Sequence, residues 1–274
     1  MPELHRFSRT ELLIGPTGLE KLRNSSVAVF GLGGVGGHAA EALCRAGVGR
    51  LVLVDFDDVC PTNINRQILA LDDTVGRPKA LVMAERMRRI NPDADILPCK
   101  DFYGAESSGF LLSERFDYVL DAIDHITSKL HLIRACREKG LPIVSSMGAA
   151  NKLDPTRIRV ADISATHACR MARIVRKLLK RQGVVNGVKV VFSTEEHRDP
   201  ALVDARCGDG CSCPHRDVPE VACRRRKVTL GSISYIPAIF GLTMAGVVVN
   251  DILRPPSSVE GGAQTGGPSS HNGS

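Results

Sequence analysis

The stretch Val27-Ala-Val-Phe-Gly31-Leu-Gly33-Gly34-Val-Gly36-Gly37-His38 decides the fold. Four apolar residues run straight into a glycine turn, and a helical pattern from His38 to Ala46 follows. Gly31, Gly33 and Gly36 stand at G-x-G-x-x-G spacing, which lets backbone amides and a helix N-terminus hold a phosphate. A second apolar strand, Leu51 to Val54, ends at Asp55, about 20 residues on, where a ribose-binding acid belongs. On these residues alone, NAD and ATP both remain open.

Outward from this turn the chain alternates strands with helical stretches. The pattern predicts strand 27–30, helix 34–47, strand 51–55, helix 74–90, strand 95–99, a helical run near 106–114, strand 117–121, helix 127–139 and strand 142–146. Gly47 and Asn91-Pro92 punctuate the first two helices, and Thr127 stands at an N-cap position. Repeated βα alternation implies an α/β, Rossmann-like, mostly parallel sheet with helices on both faces. After Met147 the pattern changes to strand 157–163, a basic helix 168–181, strand 188–192, an irregular Cys-rich loop 207–223 and an apolar helix 236–253. This second half reads as a layer added to the same sheet. The expected organisation is a single domain over 1–253, with a glycine-rich nucleotide half to about 150 and a C-terminal layer over 151–253. The tail 254–274, made of Pro, Gly, Ser, Gln, Asn and His, cannot offset its ordering entropy and is expected to be disordered.

Composition sets bounds. At 274 residues and 43% hydrophobic, the chain can bury one substantial core. A net charge of +6 permits a polyanionic partner without demanding one. The first ten residues are polar and charged rather than a secretory signal, and nine cysteines then read as thiols or metal ligands, a cytoplasmic pattern. Residues 236–253 fall short of the roughly 20 apolar residues of a membrane span. Pro237, Gly241, Gly246, Asn250 and Asp251 interrupt or end the run, so a buried helix without stable membrane insertion is expected.

Arg66 and Lys79 follow the ribose acid closely, with Asp57, Asn63 and Gln67 between. A leaving pyrophosphate needs such fixed cations, and hydride transfer does not. Arg66 can grip phosphate bidentately, and Lys79 acts as a point charge. Tyr118-Val-Leu-Asp121 continues to Asp124, a carboxylate placed where a strand meets a loop and suited to the Mg2+ that bridges ATP oxygens. The bland alternative is two solvated surface cations and a helix-capping aspartate.

The order Gly31-x-Gly33-Gly34-x-Gly36-Gly37, Asp55-x-Asp57, Asn63-x-x-Arg66-Gln67, Lys79 and Asp124 resembles the ubiquitin-activating-enzyme-like (ThiF/MoeB/HesA) adenylating superfamily. The amino terminus, Arg6-Phe-Ser-Arg9 followed by Leu13-Ile-Gly15 and Gly18, is similar to that family's leading segment. The resemblance implies ATP as cosubstrate and a homodimer in which Arg9 reaches the partner subunit's ATP site. Asp55 would bind the ribose, Asn63, Arg66 and Lys79 the phosphates, and Asp124 the magnesium.

Sulfur-carrier branches of the superfamily carry two CxxC pairs for zinc, and no CxxC occurs here. Instead Asp57-Asp-Val-Cys-Pro-Thr-Asn-Ile-Asn-Arg-Gln67, Asp121-Ala-Ile-Asp124, Lys129, Gly148-Ala-Ala-Asn-Lys-Leu-Asp154-Pro155-Thr156 and Val191-Phe-Ser-Thr-Glu195 resemble the tRNA threonylcarbamoyladenosine dehydratases. That branch implies adenylation of a threonyl carboxylate on a modified adenosine beside the anticodon, followed by ring closure with loss of water. It leaves a monovalent cation and a sulfur-relay protein partner open.

Arg170, Arg173, Arg176, Lys177, Lys180 and Arg181 crowd one helix, with Arg173, Arg176, Lys177 and Lys180 on one face, and Arg224-Arg-Arg-Lys227 forms a second patch. Both fit tRNA phosphates or a solvated surface. With three Tyr, eight Phe and no Trp, no stacking platform is legible. Cys207, Cys211, Cys213 and Cys223 lack a usual zinc spacing, so zinc, a reactive thiol and incidental cysteines all stay open. Cys44, Cys60, Cys99, Cys136 and Cys169 read as small buried hydrophobes and His38 as structural. Three rival readings stand beside the dehydratase: an adenylating enzyme for a sulfur-carrier or ubiquitin-like protein, an NAD-dependent oxidoreductase, and a scaffold that binds without turnover.

Overall fold

The computed structural model describes residues 4–199 and 230–254. Seven strands form one sheet in the order β3-β2-β1-β4-β5-β7-β6. These are β1 (Ser26–Phe30), β2 (Arg50–Val54), β3 (Asp95–Cys99), β4 (Tyr118–Asp121), β5 (Ile143–Ser146), β6 (Ile158–Asp162) and β7 (Lys189–Ser193). Every pairing is parallel except β6 with β7, so β6 forms an antiparallel edge. The later strands thus extend the first sheet, as the sequence implies.

The helices are α1 (Ser8–Arg23), α2 (Gly36–Ala46), α3 (Lys79–Ile90), α4 (Ala105–Leu111), α5 (Ile126–Glu138), α6 (Arg170–Arg181) and α7 (Tyr235–Leu253). Strand residues alternate between two cores. Val27, Val29, Leu51 and Leu53 bury against Leu43 of α2, Met83 of α3 and Phe240 and Met244 of α7. Ala28, Phe30, Val52 and Val54 face the opposite cluster with Ile133 of α5 and Val175 of α6. Burial on both faces explains why these strands read as continuous apolar runs.

Several boundaries differ from the sequence pattern. The helix expected over 74–90 begins at Lys79, because Gly76 takes a left-handed conformation (φ 83°) and Pro78 disfavours helical backbone in Arg77. Residues Asp72–Thr74 form a separate 3-10 turn. The N-cap of α5 is His125, not Thr127: the His125 ring nitrogen accepts the Ser128 amide. Helix α1 is absent from the periodicity because Gly15 (φ 75°) and Pro16 kink it midway.

Helix α7 (mean hydropathy 1.8) is long and apolar enough to cross a membrane, and among the described residues it alone is. It lies instead along α2. Gly241 makes that approach possible: a Cβ there would fall 2.2 Å from the Val35 carbonyl oxygen. A glycine that reads as an interruption in sequence is a contact surface in the fold. The far end of α7 is fixed through Asp251, which accepts the Tyr118 hydroxyl (2.8 Å) and pairs with Lys189.

Partial burial pushes the Asp251 pKa up, but the hydrogen bonds from Lys189 and Tyr118 outweigh it and hold the carboxyl below its usual value. A depressed folded pKa adds stability above the unfolded value, near about 3.9, and that stability is lost as pH falls through the folded value. Asp251→Asn is therefore expected to lower stability at neutral pH by about 1–3 kcal/mol. The gap to wild type should shrink as pH falls below about 4, where the unfolded chain's carboxylate protonates, and through the lower value of the folded state. Urea midpoints at the two pH values check this, and an unchanged gap refutes it.

Candidate nucleotide site

Strand order reverses between β1 and β4, and ligands of open α/β sheets bind in the crevice outside the carboxyl ends there. The loop after β1 carries the glycines, and the loop after β4 carries Asp124. They meet in van der Waals contact. Gly31 (φ 85°) has no room for a side chain, since a Cβ would lie 2.8 Å from the Ala122 carbonyl oxygen. A Cβ on Gly36, the first residue of α2, would lie 1.8 Å from the Gly31 carbonyl oxygen. Around Gly33 the nearest group to a Cβ is the Gln67 amide, at 3.7 Å. The glycine loop thus presents bare backbone beside the N-terminus of α2, an anion-binding arrangement.

Asp55 closes β2 and is buried. One carboxylate oxygen accepts the Leu32 amide (2.6 Å) and the other the Asp57 amide (2.9 Å), so it ties the glycine loop to the strand end. Each oxygen keeps a second lone pair, sufficient for ribose hydroxyls. Burial pushes its pKa up, opposed by the Lys79 charge.

Lys79 opens α3 and is 6% exposed, with its ammonium 2.9 Å from an Asp57 oxygen. Burial alone would lower its pKa. The charges of Asp55 and Asp57, the Asp57 hydrogen bond and the more distant Asp124 outweigh burial and hold it above the usual lysine value. Lys79 is therefore no solvated surface cation. Arg66 lies beside the loop: its carbonyl oxygen would stand 3.3 Å from a Cβ on Gly34, while its guanidinium donates to Thr62 O and Asn65 Oδ1. Asn63 is buried and its side-chain oxygen accepts the Cys60 amide (3.1 Å), which shapes the turn that carries Arg66. Gln67 is buried with its side-chain oxygen lacking a protein partner.

Asp124 is exposed at the end of β4. Beneath it Asp121, Lys129 and Ser145 form a fully buried triad: Lys129 Nζ donates to Asp121 (2.7 Å) and to Ser145 (3.2 Å), and Ser145 donates to Asp121 (2.6 Å). The other Asp121 oxygen accepts the Ile123 amide, which fixes the loop that presents Asp124.

The structure does not bring Arg9 to this site. Arg6 donates to the Ile90 carbonyl and Phe7 packs near Gly47, at the amino ends of the strands, so Arg9 sits exposed one turn away at the far end of the sheet. Among the described residues no group of three or more His, Cys, Asp or Glu could hold a metal ion. Cys207, Cys211, Cys213 and Cys223, the Arg224–Lys227 patch and the tail from residue 255 on lie outside the described residues. Cys44, Cys60, Cys136 and Cys169 are buried free thiols, and Cys99 is half-buried. His38 bonds the Gly34 carbonyl, a structural role.

One sequence reading needs correction. Arg176 is not part of an open basic face, because its guanidinium donates to the Thr166 carbonyl and hydroxyl. Arg173, Lys177 and Lys180 remain exposed. Phe56, Phe102 and His125 gather edge to face at the carboxyl ends of the strands, a cluster not identified from the sequence, with centroids 5.1 and 5.9 Å apart. They come from three separate loops, so no window of sequence could have shown it.

Residues 7–264 match the model of the ThiF family. The tRNA threonylcarbamoyladenosine dehydratase of Bacillus subtilis (strain 168) is 47% identical over 253 residues, which cover 92% of this chain and 96% of that protein. The solved structure of Escherichia coli tRNA N6-threonylcarbamoyladenosine dehydratase, TcdA, in complex with ATP is 35% identical, covers 90% of this chain and 93% of that one, and superposes with a TM-score of 0.77. The molybdopterin-synthase adenylyltransferase of E. coli (strain K12) is 38% identical over 154 residues, 56% of this chain and 61% of that protein.

Removing Lys79 or Asp124 tests the site directly. Lys79→Ala and Asp124→Ala are each expected to lower ATP-dependent turnover at least about a hundredfold, through lost stabilisation of developing phosphate charge. Near-normal turnover in either variant refutes its place in the site.

Proposed function

The chain belongs to the ThiF family, and on that premise we propose that it is an ATP-dependent tRNA-modifying enzyme that dehydrates threonylcarbamoyladenosine beside the anticodon. One observation carries this reading over its rivals. The dehydratase of B. subtilis matches 92% of the chain, including the layer after residue 150, whereas the molybdopterin-synthase adenylyltransferase matches 56%. An NAD-dependent oxidoreductase is disfavoured by the buried Lys79 among three carboxylates and by the ATP held in the E. coli relative.

In this reading the Gly31–Gly37 amides and the start of α2 receive phosphate, Asp55 holds the ribose, and Asn63, Gln67, Arg66 and Lys79 shape and charge the triphosphate channel. A single exposed carboxylate, Asp124, fits a hydrated magnesium ion bound mainly through phosphate oxygens, where it would neutralise charge. The threonyl carboxylate attacks the α-phosphorus of ATP and expels pyrophosphate. The carbamoyl group then attacks the acyl-adenylate, closing a five-membered ring. AMP leaves with one carboxylate oxygen, and the carbamoyl group loses its proton. The nucleophile is tethered to the activated carbon, so closure needs positioning more than further activation, and no thiol.

The enzyme acts in the cytoplasm as a homodimer, with Arg9 entering the partner subunit's site. Arg9 lies far from its own chain's nucleotide loops, and Leu12 and Leu13 on the same helix are more than four-fifths exposed, a surface suited to a second copy. Exposed Arg173, Lys177 and Lys180 of α6 supply phosphate contacts to tRNA.

The primary test is mass spectrometry of nucleosides from threonylcarbamoyl-modified tRNA incubated with protein, ATP and magnesium. A nucleoside lighter by one water, formed only with ATP, is expected. Unchanged tRNA, with pyrophosphate released only on adding a Gly-Gly-ended protein, would move the chain to the carrier-activating branch. Mixing Arg9→Ala with Lys79→Ala subunits should restore part of the activity, since some mixed dimers keep one intact site. No recovery despite demonstrated mixing removes the role of Arg9 across the dimer.

A further inference from the structure

At the carboxyl end of β7 and the start of β6, across β5 from the β4 loop, lies a second concavity of about 840 Å³, lined by Asp154, Arg157, His167, Thr194, Glu196 and His197 among others. Its volume falls within the roughly 300–1,000 Å³ of small-molecule sites. Its construction is not that of an incidental groove. Ala168 in its wall has φ 57°, Asn151 beneath it has φ 56°, and among the described residues these are the two non-glycine positions at positive φ. Such strain persists where surrounding structure enforces it, commonly at ligand sites. The Asn151 side chain is buried, its nitrogen 3.2 Å from His197 Nε2, and its oxygen has no partner.

Two of the three carboxylates of the cleft are matched in place, and Glu196 pairs with no cation among the described residues. Arg157 pairs with Asp154 (3.2 Å), and Arg198 with Glu195 (2.9 Å). Glu195 also accepts the amides of Leu153 and Asp154, so it holds the wall rather than offering a free carboxylate. A cleft with one unpaired carboxylate to accept N–H groups and two imidazoles beside it suits a polar ligand that both donates and accepts hydrogen bonds. A nucleobase bearing a urea is such a group.

The cleft and the nucleotide site share a partition. The Asn151 amide donates to the Gly231 carbonyl (2.9 Å), and Asn65, the neighbour of Arg66, donates to the Ser232 carbonyl (3.1 Å). Asn151, which touches His197 of the cleft, and Asn65, which precedes Arg66, therefore hold adjacent residues of one strand of chain. Only four bonds separate the adenine N6 from the threonyl carboxyl carbon, a span of about 5 Å at ordinary bond lengths. At the outer edge the cleft opens beside Arg170 and the start of basic α6, where flanking phosphates can lie.

We propose that this cleft receives the adenine and urea of the substrate nucleotide, extruded from the anticodon loop, with His197 and Thr194 as positioning residues. The proposal rests on the dehydratase reading and adds the place where the base is held. Extrusion into a pocket is the general solution for enzymes that work on a base in folded nucleic acid.

The test is titration of free N6-threonylcarbamoyladenosine, with adenosine and threonine as separate controls, into wild type, His197→Ala and Thr194→Val. Steady-state KM for modified tRNA and for ATP is measured on the same proteins. Each variant should weaken nucleoside binding and raise KM for tRNA about tenfold, the loss of one hydrogen bond, with KM for ATP unchanged. A wild type that converts tRNA, beside variants with unaltered nucleoside binding and KM, overturns the cleft and leaves the dehydratase standing. Equal weakening of ATP and nucleoside assigns the residues a general structural role and also overturns it. A wild type that never converts modified tRNA brings down the dehydratase reading, and the cleft assignment with it.

Discussion

At the switch between β1 and β4, two loops cross so closely that backbone touches backbone. A Cβ on Gly31 would meet the Ala122 carbonyl oxygen, and one on Gly36 would overlap the Gly31 oxygen. Gly34 is equally confined, 2.9 Å from Pro237 at the head of α7 if it bore a Cβ. This contact places the amides of the first loop beside the carboxylate of the second. It also locates α7, and through α7 the packing of the whole face that carries α2. A methyl group at either crossing glycine would separate the two halves of the nucleotide site, however well the remaining core packed.

Two of the buried lysines, Lys129 and Lys79, then divide the work. Lys129 is wholly enclosed with Asp121 and Ser145, its charge neutralised within the fold. Breaking such a pair by removing one partner leaves an uncompensated charge, typically at about 3–5 kcal/mol. Lys79 is nearly as buried but faces more carboxylate than it can neutralise, with Asp55, Asp57 and Asp124 around it. The first lysine stabilises a loop. The second is held fully protonated at the mouth of a site that receives phosphates.

The parallel sheet was legible because Val27 to Phe30 and Leu51 to Val54 are buried on both faces and carry no polar alternation. The cluster of Asp55, Asp57 and Lys79 was legible because it follows one strand and opens the next helix. What sequence concealed depends on distant partners. Arg176 looked like its neighbours on α6 until Thr166 took its guanidinium. The Asp251–Tyr118–Lys189 contact joins three elements separated by more than a hundred residues in part, and nothing in the apolar run before Asp251 announces it. Helix α1 was hidden by its own kink at Gly15, which breaks the period that would reveal it.

Asn151 also fastens the chain on both sides of residues 200–229. Its amide donates to Gly231, and its carbonyl accepts the Arg198 amide (3.3 Å). The chain therefore departs and returns at a single residue. For a loop whose ends are already closed, doubling its length adds only about 0.6 kcal/mol of closure entropy. Insertions or deletions between these two hydrogen bonds can accumulate at little thermodynamic cost while the sheet and nucleotide loops stay in register.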